Sequence, residues 1–299
     1  MRKDEIAEKP YVSIVIPVYN ESAAIGSTLD TLQQLPLNLE VIVVDDGSDD
    51  GTATIVGQRS WVRLIRHAYN IGNGAAVKSG IRAARGELIL IMDGDGQHNP
   101  NDVPRLVNRL LEGNYDMVVG ARQSNTEIEP HRDVANVIFN RLAGYAAKAK
   151  ISDLTSGFRV MRANLAKGFV GLLPNGFSSP STLTLAMFRS GHTVYYESIV
   201  SGKRQSRSKI KIFRDGFRFL SIILRMAVFF APMRIFAPLA LTSLVMGVLY
   251  STYVLTVKHR FSNMAMLLIV MGVLLYMMGL ISEQISLLRL MQIEKKNNE

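Results

Sequence analysis

Two aspartates two residues apart, Asp93-Gly94-Asp95, close the apolar run Glu87–Met92 and are followed by Gly96 and Gln97. Carboxylates at that spacing, at a strand end with glycines around them, can converge on one hard cation. A divalent ion there, Mg2+ or Mn2+, could bridge the diphosphate of a nucleotide-sugar and act as a Lewis acid for the leaving group. Gln97 can add an amide oxygen. Taken alone, the pair fits equally a turn whose aspartates only cap and hydrogen-bond, so its company has to decide. That company is Ile16-Pro17-Val18-Tyr19-Asn20-Glu21 and Val43-Val44-Asp45-Asp46-Gly47-Ser48, two more polar clusters that follow apolar runs. Asp45 and Asp49 fit helix caps, and His98 fits a polar loop residue better than a metal ligand.

The elements that must position these residues follow from hydrophobic periodicity. Val12–Pro17, Leu39–Asp45, Val62–Arg66, Leu88–Asp93 and Met117–Gly120 read as strands. Ser22–Leu35, Thr52–Gln58, Ala75–Arg85 and Asp102–Glu112 read as helices between them. The alternation predicts an α/β domain with a mostly parallel sheet and helices on both faces. Ligands of such sheets sit at the carboxyl ends of the strands, and all three polar clusters fall there. Further on, Val134–Lys150 reads as a helix, Thr155–Arg159 as a loop or strand start, Thr182–Ser190 as a helix and Thr193–Glu197 as a strand.

Gly72-Asn73-Gly74 invites a rival reading. It lies near a strand, opens a helix and has Asp93 about 20 residues on, so it mimics a dinucleotide-binding fingerprint. That fingerprint belongs on the first βα turn, whereas here several residues separate strand from glycine. The glycines fit better as letting the backbone pass close to the nucleotide-sugar donor or as relieving a turn.

With these residues in view, the sequence resembles the family-2 glycosyltransferases of the GT-A (Rossmann-like) fold. The ordered set of Asn70–Gly74, Asp93–Gln97, Gly120-Ala121-Arg122 and Thr155–Arg159 narrows the resemblance to the polyprenyl-phosphate glycosyltransferases, the dolichyl-phosphate mannose synthase-like group, over about residues 11 to 290. The resemblance implies that Pro17, Tyr19, Glu21 and Asp46 line the pocket for base and ribose. It also implies that Asp93, Asp95 and Gln97 hold the metal and the diphosphate, and that the transfer inverts the anomeric carbon.

The acceptor side can be read further. A sugar hydroxyl acceptor usually needs a general base, and polymer-building members of the wider family supply it from an acidic motif after the metal site, followed by Gln-x-x-Arg-Trp. The corresponding stretch here, Gly176–Leu185, has no acid, and the one tryptophan is Trp61, far upstream. A phosphate acceptor is already ionised and needs cations instead. Arg122, Arg132, Arg159, Arg204 and Lys209 are the candidates, since guanidinium forks match phosphate oxygens. In the resembled group, arginines at positions like Arg122, Arg132 and Arg204 approach the lipid phosphate. The group's Arg-x-Gly-x-Ser-Lys pattern reads Arg204-Gln-Ser-Arg-Ser-Lys209 here, a departure at Ser206. Asp95 and Arg122 would thus carry the chemistry, on the leaving group and the incoming phosphate respectively.

Composition sets the frame. The 299 residues suffice for one large domain with an appendage, and the formal charge of +9 is concentrated in one segment. Between Ser201 and Arg234 lie nine Lys or Arg against Asp215 alone. Ile235–Val257 and Phe261–Ser282 are uncharged, and each exceeds the roughly 20 residues that span about 30 Å of hydrocarbon. They predict a membrane hairpin turning at Lys258-His259-Arg260. The basic block before it places the main domain and both termini in the cytoplasm by the positive-inside rule. Basic and aromatic residues at helical spacing over Ile210–Phe230 predict interfacial amphipathic helices, for which Arg207, Lys211, Arg214 and Arg218 would meet anionic headgroups.

The expected layout is therefore a catalytic domain over 1–200, a basic juxtamembrane segment over 201–234, a hairpin over 235–290 and a tail over 291–299. The polar start, Met1-Arg2-Lys3-Asp4-Glu5, predicts no signal peptide. The absence of cysteine excludes disulfides, thiolate metal sites and a cysteine nucleophile. The expected partners are a nucleotide-sugar, a polyprenyl phosphate and membrane lipids, with a homo-oligomer compatible and nucleic acid disfavoured because the basic block abuts the membrane. The alternatives are a glycosyltransferase acting on a hydroxyl acceptor and a non-catalytic nucleotide-sugar-binding scaffold.

Overall fold

The structure, a computed structural model, describes residues 11–122, 140, 141, 144, 145, 149–176, 178–200, 228 and 231–298. These residues fall in two compact units. One carries the sheet; the other carries the two long C-terminal helices together with residues 144, 145 and 149.

The sheet unit begins with the expected alternation. β1 (Val12–Val18), β2 (Leu39–Asp45), β3 (Val62–Arg66) and β4 (Leu88–Ile91) are joined by α1 (Ile25–Gln33), α2 (Thr52–Gly57) and α3 (Asn73–Ala83). A 3₁₀ turn, Pro100–Asp102, then leads into α4 (Val103–Glu112) and β5 (Met117–Arg122). After these come β6 (Arg159–Arg162), α5 (Ala163–Phe169), α6 (Ser179–Arg189) and β7 (Val194–Ile199). The seven strands order as β3-β2-β1-β4-β6-β5-β7. β1 pairs in parallel with both β2 and β4, and β5 with β7, while β6 runs antiparallel between β4 and β5.

Period-2 alternation sorts each strand's side chains between two buried faces. Val12, Ile14, Ile16 and Val18 join Val41, Val43, Leu88 and Leu90 under the apolar stripes of α1 (Ile25, Leu29, Leu32) and α4 (Val103, Leu106, Val107, Leu110). On the opposite face α3 packs so closely that a side chain at Gly80 would collide with Val15. Burial on both sides explains why β1 reads as an unbroken apolar run.

Three local differences from expectation have physical causes. β4 ends at Ile91 rather than Asp93, because the Asp93 N–H turns away to His98 Nδ1 at 3.2 Å instead of a neighbouring strand. α1 starts at Ile25 rather than Ser22, since the N–H groups of Glu21 and Ser22 bond Thr52 Oγ1 and Asp50 Oδ2 across the loop. The antiparallel β6 and the short α5 carry little periodicity of their own. β6 is instead fixed by its ladders to Leu88–Ile91 and Met117–Val119.

In the second unit, α7 (Pro232–Lys258) and α8 (Asn263–Asn298) are long and apolar enough to cross a membrane. Only 11% and 17% of their apolar windows are buried, unlike the core helix of a soluble domain. Ser243 Oγ donates to Leu268 O at 2.7 Å between them, a useful satisfaction of polar groups where water is absent. The turn lies where expected, with His259 in the left-handed region at φ 50°. α8 runs on into the expected tail over 291–299, as far as Asn298. After Ser282 the sequence offers Glu, Leu, Arg, Gln and Lys and no Gly or Pro to stop a helix. The expected helix over Val134–Lys150 and the interfacial helices over Ile210–Phe230 lie largely outside the described residues.

Candidate active site

The loop after β4 brings Asp93 and Asp95 to the carboxyl edge of the sheet. Asp95 is nearly buried at 9% exposure, and its Oδ1 accepts from the Gln97 N–H at 3.1 Å, which shapes the turn. Asp93 is partly exposed. Beneath them lies His98, 5% exposed and stacked on Phe158 with ring centroids 5.0 Å apart. Since Nδ1 accepts the Asp93 N–H, it carries no proton. Burial pulls the His98 imidazole below its ordinary range, opposed by the charges of Asp93 and Asp95. His98 is thus a loop residue, as expected, but a buried one: a neutral ring that fixes the backbone of the acidic turn.

Gly157 closes the other side. A Cβ there would overlap the Asp93 carboxylate, meeting Cγ at 2.8 Å, so only glycine lets the segment Thr155–Phe158 lie against it. Ser156 anchors that segment through Oγ, which donates to Gly120 O at 2.6 Å. Beside it Arg122, at the end of β5, grips Asp153. Nε donates to Oδ2 at 2.8 Å and Nη2 to Oδ1 at 3.1 Å, with a further bond from Nη2 to Thr155 Oγ1 at 2.7 Å. Burial disfavours both charges, but the pairing outweighs it. Asp153 is held below the usual carboxylate range and Arg122 above its own.

Arg159 is placed differently from a phosphate ligand. It is 1% exposed, and its guanidinium donates to Pro180 O at 2.7 Å, to Thr184 Oγ1 at 3.0 Å and to Ser156 O. Burial pulls it down to about 10. These bonds go to the protein itself rather than toward an acceptor. Arg132, Arg204 and Lys209 lie outside the described residues.

The remaining positions sit at the neighbouring strand ends. Pro17 lies within buried β1, and Tyr19 follows it at 45% exposure. Glu21 begins the path into α1, its carbonyl accepting from Ala24 and Ile25. Asp46 is 2% exposed and both its oxygens are used internally: Oδ1 takes His67 Nδ1 at 2.6 Å and the Ile71 N–H at 3.1 Å, and Oδ2 takes the Gly72 N–H at 2.7 Å. A carboxylate can only accept, so His67 Nδ1 carries a proton, and its Nε2 meets Ser79 Oγ at 2.9 Å. Asp46 thus organises the Asn70–Gly72 loop along the pocket edge.

The capping role expected of Asp45 or Asp49 is shared out otherwise. Asp45 Oδ1 accepts the Ser48 N–H, and Arg66 Nε lies 3.1 Å from Oδ2 without hydrogen-bond alignment. Asp50, at the start of α2, binds Thr52 and Ser22; burial pushes its carboxyl up, but these bonds prevail and bring it down to about 2.

Gly72 and Gly74 prove to serve a close approach, though of the chain to itself. Gly72 has φ 126°, and side chains at either position would strike carbonyl oxygens of Pro174–Gly176. Asn175 O accepts the Ala75 N–H at 3.1 Å, and Lys78 Nζ bonds the Asn175 side chain. Carbonyl oxygens occupy this helix start, which leaves it ill suited to cradle a pyrophosphate.

Among the described residues no three His, Asp or Glu side chains converge as a metal cage. Two carboxylates at a strand end suit another kind of site, in which one or two protein ligands share the ion with substrate phosphates. The donor set Asp93, Asp95 and Gln97 fits that kind, with Gly157 leaving no room for a side chain beside Asp93. His98 is excluded from it by its bond to the Asp93 N–H.

Sheet order, the single antiparallel strand and the acid-bearing edge define a GT-A-type α/β domain. Glucosyl-3-phosphoglycerate synthase from Mycobacterium tuberculosis, solved with Mn2+, UDP-glucose and phosphoglyceric acid, shares that fold. The two superpose with a TM-score of 0.59 at 21% identity over 74% of this chain and 80% of the other. Residues 13–169, more than half of the chain, match Glycosyl transferase family 2, and the chain belongs to that family. Residues 231–288 match the GtrB C-terminal hairpin. Among curated relatives, dodecaprenyl-phosphate galacturonate synthase of Rhizobium johnstonii is 33% identical, with 52% of this chain and 49% of the relative aligned. Undecaprenyl-phosphate 4-deoxy-4-formamido-L-arabinose transferase of Aeromonas hydrophila is 32% identical, with 56% of each aligned. The chain spans about half the length of these relatives.

Sequence reasoning missed His67, Asp153 and Asn175, and of His98 it missed the burial and the bond to the Asp93 N–H. His67 and Asp153 carried a usable signal, since each lies at or beside the carboxyl edge once the strands are ordered. His98 and Asn175 act through backbone contacts that no spacing announces.

Proposed function

We propose that this protein transfers a sugar from a nucleotide-sugar to a polyprenyl phosphate, with inversion, at the membrane surface. The observation that carries the reading is the presence in one chain of the Asp93–Asp95 edge and an apolar two-helix hairpin; the names of the two relatives point the same way. A bound Mg2+ or Mn2+ would neutralise the charge that builds on the departing diphosphate. Asp93 and Asp95, with Gln97, would hold it. Pro17, Tyr19 and Glu21 would border the base and ribose, with Asp46 fixing the loop beside them. Arg122, oriented by Asp153, would face the incoming phosphate, joined by Arg132, Arg204 and Lys209. The basic segment before the hairpin supports a cytoplasmic catalytic unit with both termini on that side.

A hydroxyl acceptor would need a base. Asp153 is the acid beside Arg122, but a carboxyl held below its ordinary range by two guanidinium bonds is a weak base. That favours an acceptor that arrives ionised. The test is to incubate detergent-solubilised protein with a polyprenyl phosphate, Mn2+ and a panel of labelled nucleotide-sugars. One donor should yield organic-extractable label; label confined to water-soluble products from every donor would refute the proposal.

A further inference from the structure

Arg159 is a fully buried cation whose acceptors among the described residues are all uncharged: the carbonyls of Ser156 and Pro180 and the Thr184 hydroxyl. Its Nε has no hydrogen-bond partner among the described residues, and neither has the buried Tyr196 hydroxyl. Burying a guanidinium without a carboxylate partner is costly, so its three bonds must achieve something a smaller apolar residue could not. They join two elements. Pro180 and Thr184 lie in the first turns of α6, whereas Ser156 belongs to the segment that leads into β6.

The Ser156 carbonyl is half of the peptide unit whose N–H belongs to Gly157, and Gly157 is the residue pressed against the Asp93 carboxylate. The same segment is tied a second time by Ser156 Oγ to Gly120 O. Gripping that carbonyl therefore fixes the orientation of one wall of the Asp93 side chain. The charges of Asp153 and Asp93 favour the Arg159 cation against its burial, and its bonds go to Ser156, Pro180 and Thr184.

We propose that Arg159 is a positioning residue that clamps the Ser156–Gly157 peptide to α6 and thereby sets the Asp93 carboxylate for metal binding. The inference rests on the assignment of Asp93 as a metal ligand made above.

The test reads metal affinity rather than turnover. Free Mn2+ is measured by electron paramagnetic resonance during titration of the full-length protein with UDP present, and separately with GDP. Outer partners of a metal ligand typically change affinity by about 10- to 100-fold, so Arg159→Lys should weaken Mn2+ binding by about ten-fold or more while retaining a cooperative thermal transition. Thr184→Val keeps the charge and removes one anchor, so its Mn2+ binding should weaken measurably but by less than that of Arg159→Lys. A folded Arg159→Lys protein with wild-type Mn2+ affinity overturns the inference. Should that variant not fold, unchanged affinity in a folded Thr184→Val protein overturns it instead. Wild-type protein that binds no Mn2+ with either nucleotide overturns the metal assignment itself, and so separates the two failures.

Discussion

Gly157 touches the carboxylate of Asp93 so closely that a single added methyl group would overlap it. The two residues lie far apart in sequence, one after β4 and one before the antiparallel β6, and the sheet order brings them together. The acidic turn is thus walled by a second segment that also carries Asp153, the partner of Arg122.

Gly157→Ala should displace Asp93 while leaving the core intact. A misplacement on the order of 1 Å can cost about 100-fold in rate. Turnover titrated against Mn2+ should show a fall of that size with a raised metal requirement and a nearly unchanged thermal midpoint. Wild-type metal dependence in the alanine variant would show that the contact does not position the ligand.

Asp95→Asn should leave the protein folded and membrane-bound yet reduce transfer by at least about 100-fold, because a divalent ion contributes several kcal/mol to charge stabilisation. Side-by-side turnover and extraction into detergent check both halves. Full activity would remove the metal assignment.

Asp153→Asn should leave Arg122 half-buried without its bidentate partner. Hydrogen bonds to charged groups contribute about 2 kcal/mol, and the figure is an upper value here because the Arg122 side chain is 31% exposed. Thermal unfolding should register the loss, and the KM for the acceptor should rise more than that for the donor. An effect on donor KM alone would place Arg122 on the wrong substrate.

Acid should weaken the sheet unit over a defined window. Asp50 titrates at about 2, and Asp116 and Asp153 also lie below their ordinary value. In each case burial works against the shift and hydrogen bonds overcome it, from Thr52 and Ser22, from Thr193, and from Arg122. Each group binds its proton less readily folded than unfolded, so its stabilisation is complete above the unfolded pKa of about 4 and is lost as pH falls through the folded value. Thermal midpoints should hold steady from neutrality to about pH 5 and drop steeply between about 4 and 2. Asp50→Asn should make that drop shallower; an unchanged slope would show that Asp50 contributes nothing to it.

How much of this was legible in the sequence depended on where the information lay. β1, β2 and β4 could be read because burial writes them as apolar runs, and the edge strand β3 because its apolar residues alternate with arginines; the ligands had to follow their carboxyl ends. β2 and β3 fall on the expected residues, and Asp93, Asp95 and Tyr19 lie at the expected edge. Of β6 only the start at Arg159 was legible, because a four-residue antiparallel strand is specified by its neighbours' ladders rather than by its own pattern. The placement of Arg159 was not legible for a related reason. A sequence shows that a guanidinium is present but not which way it faces, and here it faces into the protein. Gly72 and Gly74 were read as a close-approach motif, yet the partner proved to be Pro174–Gly176, about a hundred residues on.

The most direct test of the account compares two acceptors that differ by one phosphate. With the active labelled nucleotide-sugar and Mn2+, the protein should label polyprenyl phosphate and leave the corresponding free polyprenol unlabelled. Equal labelling of the polyprenol, or label passing into water-soluble polymer, would contradict it.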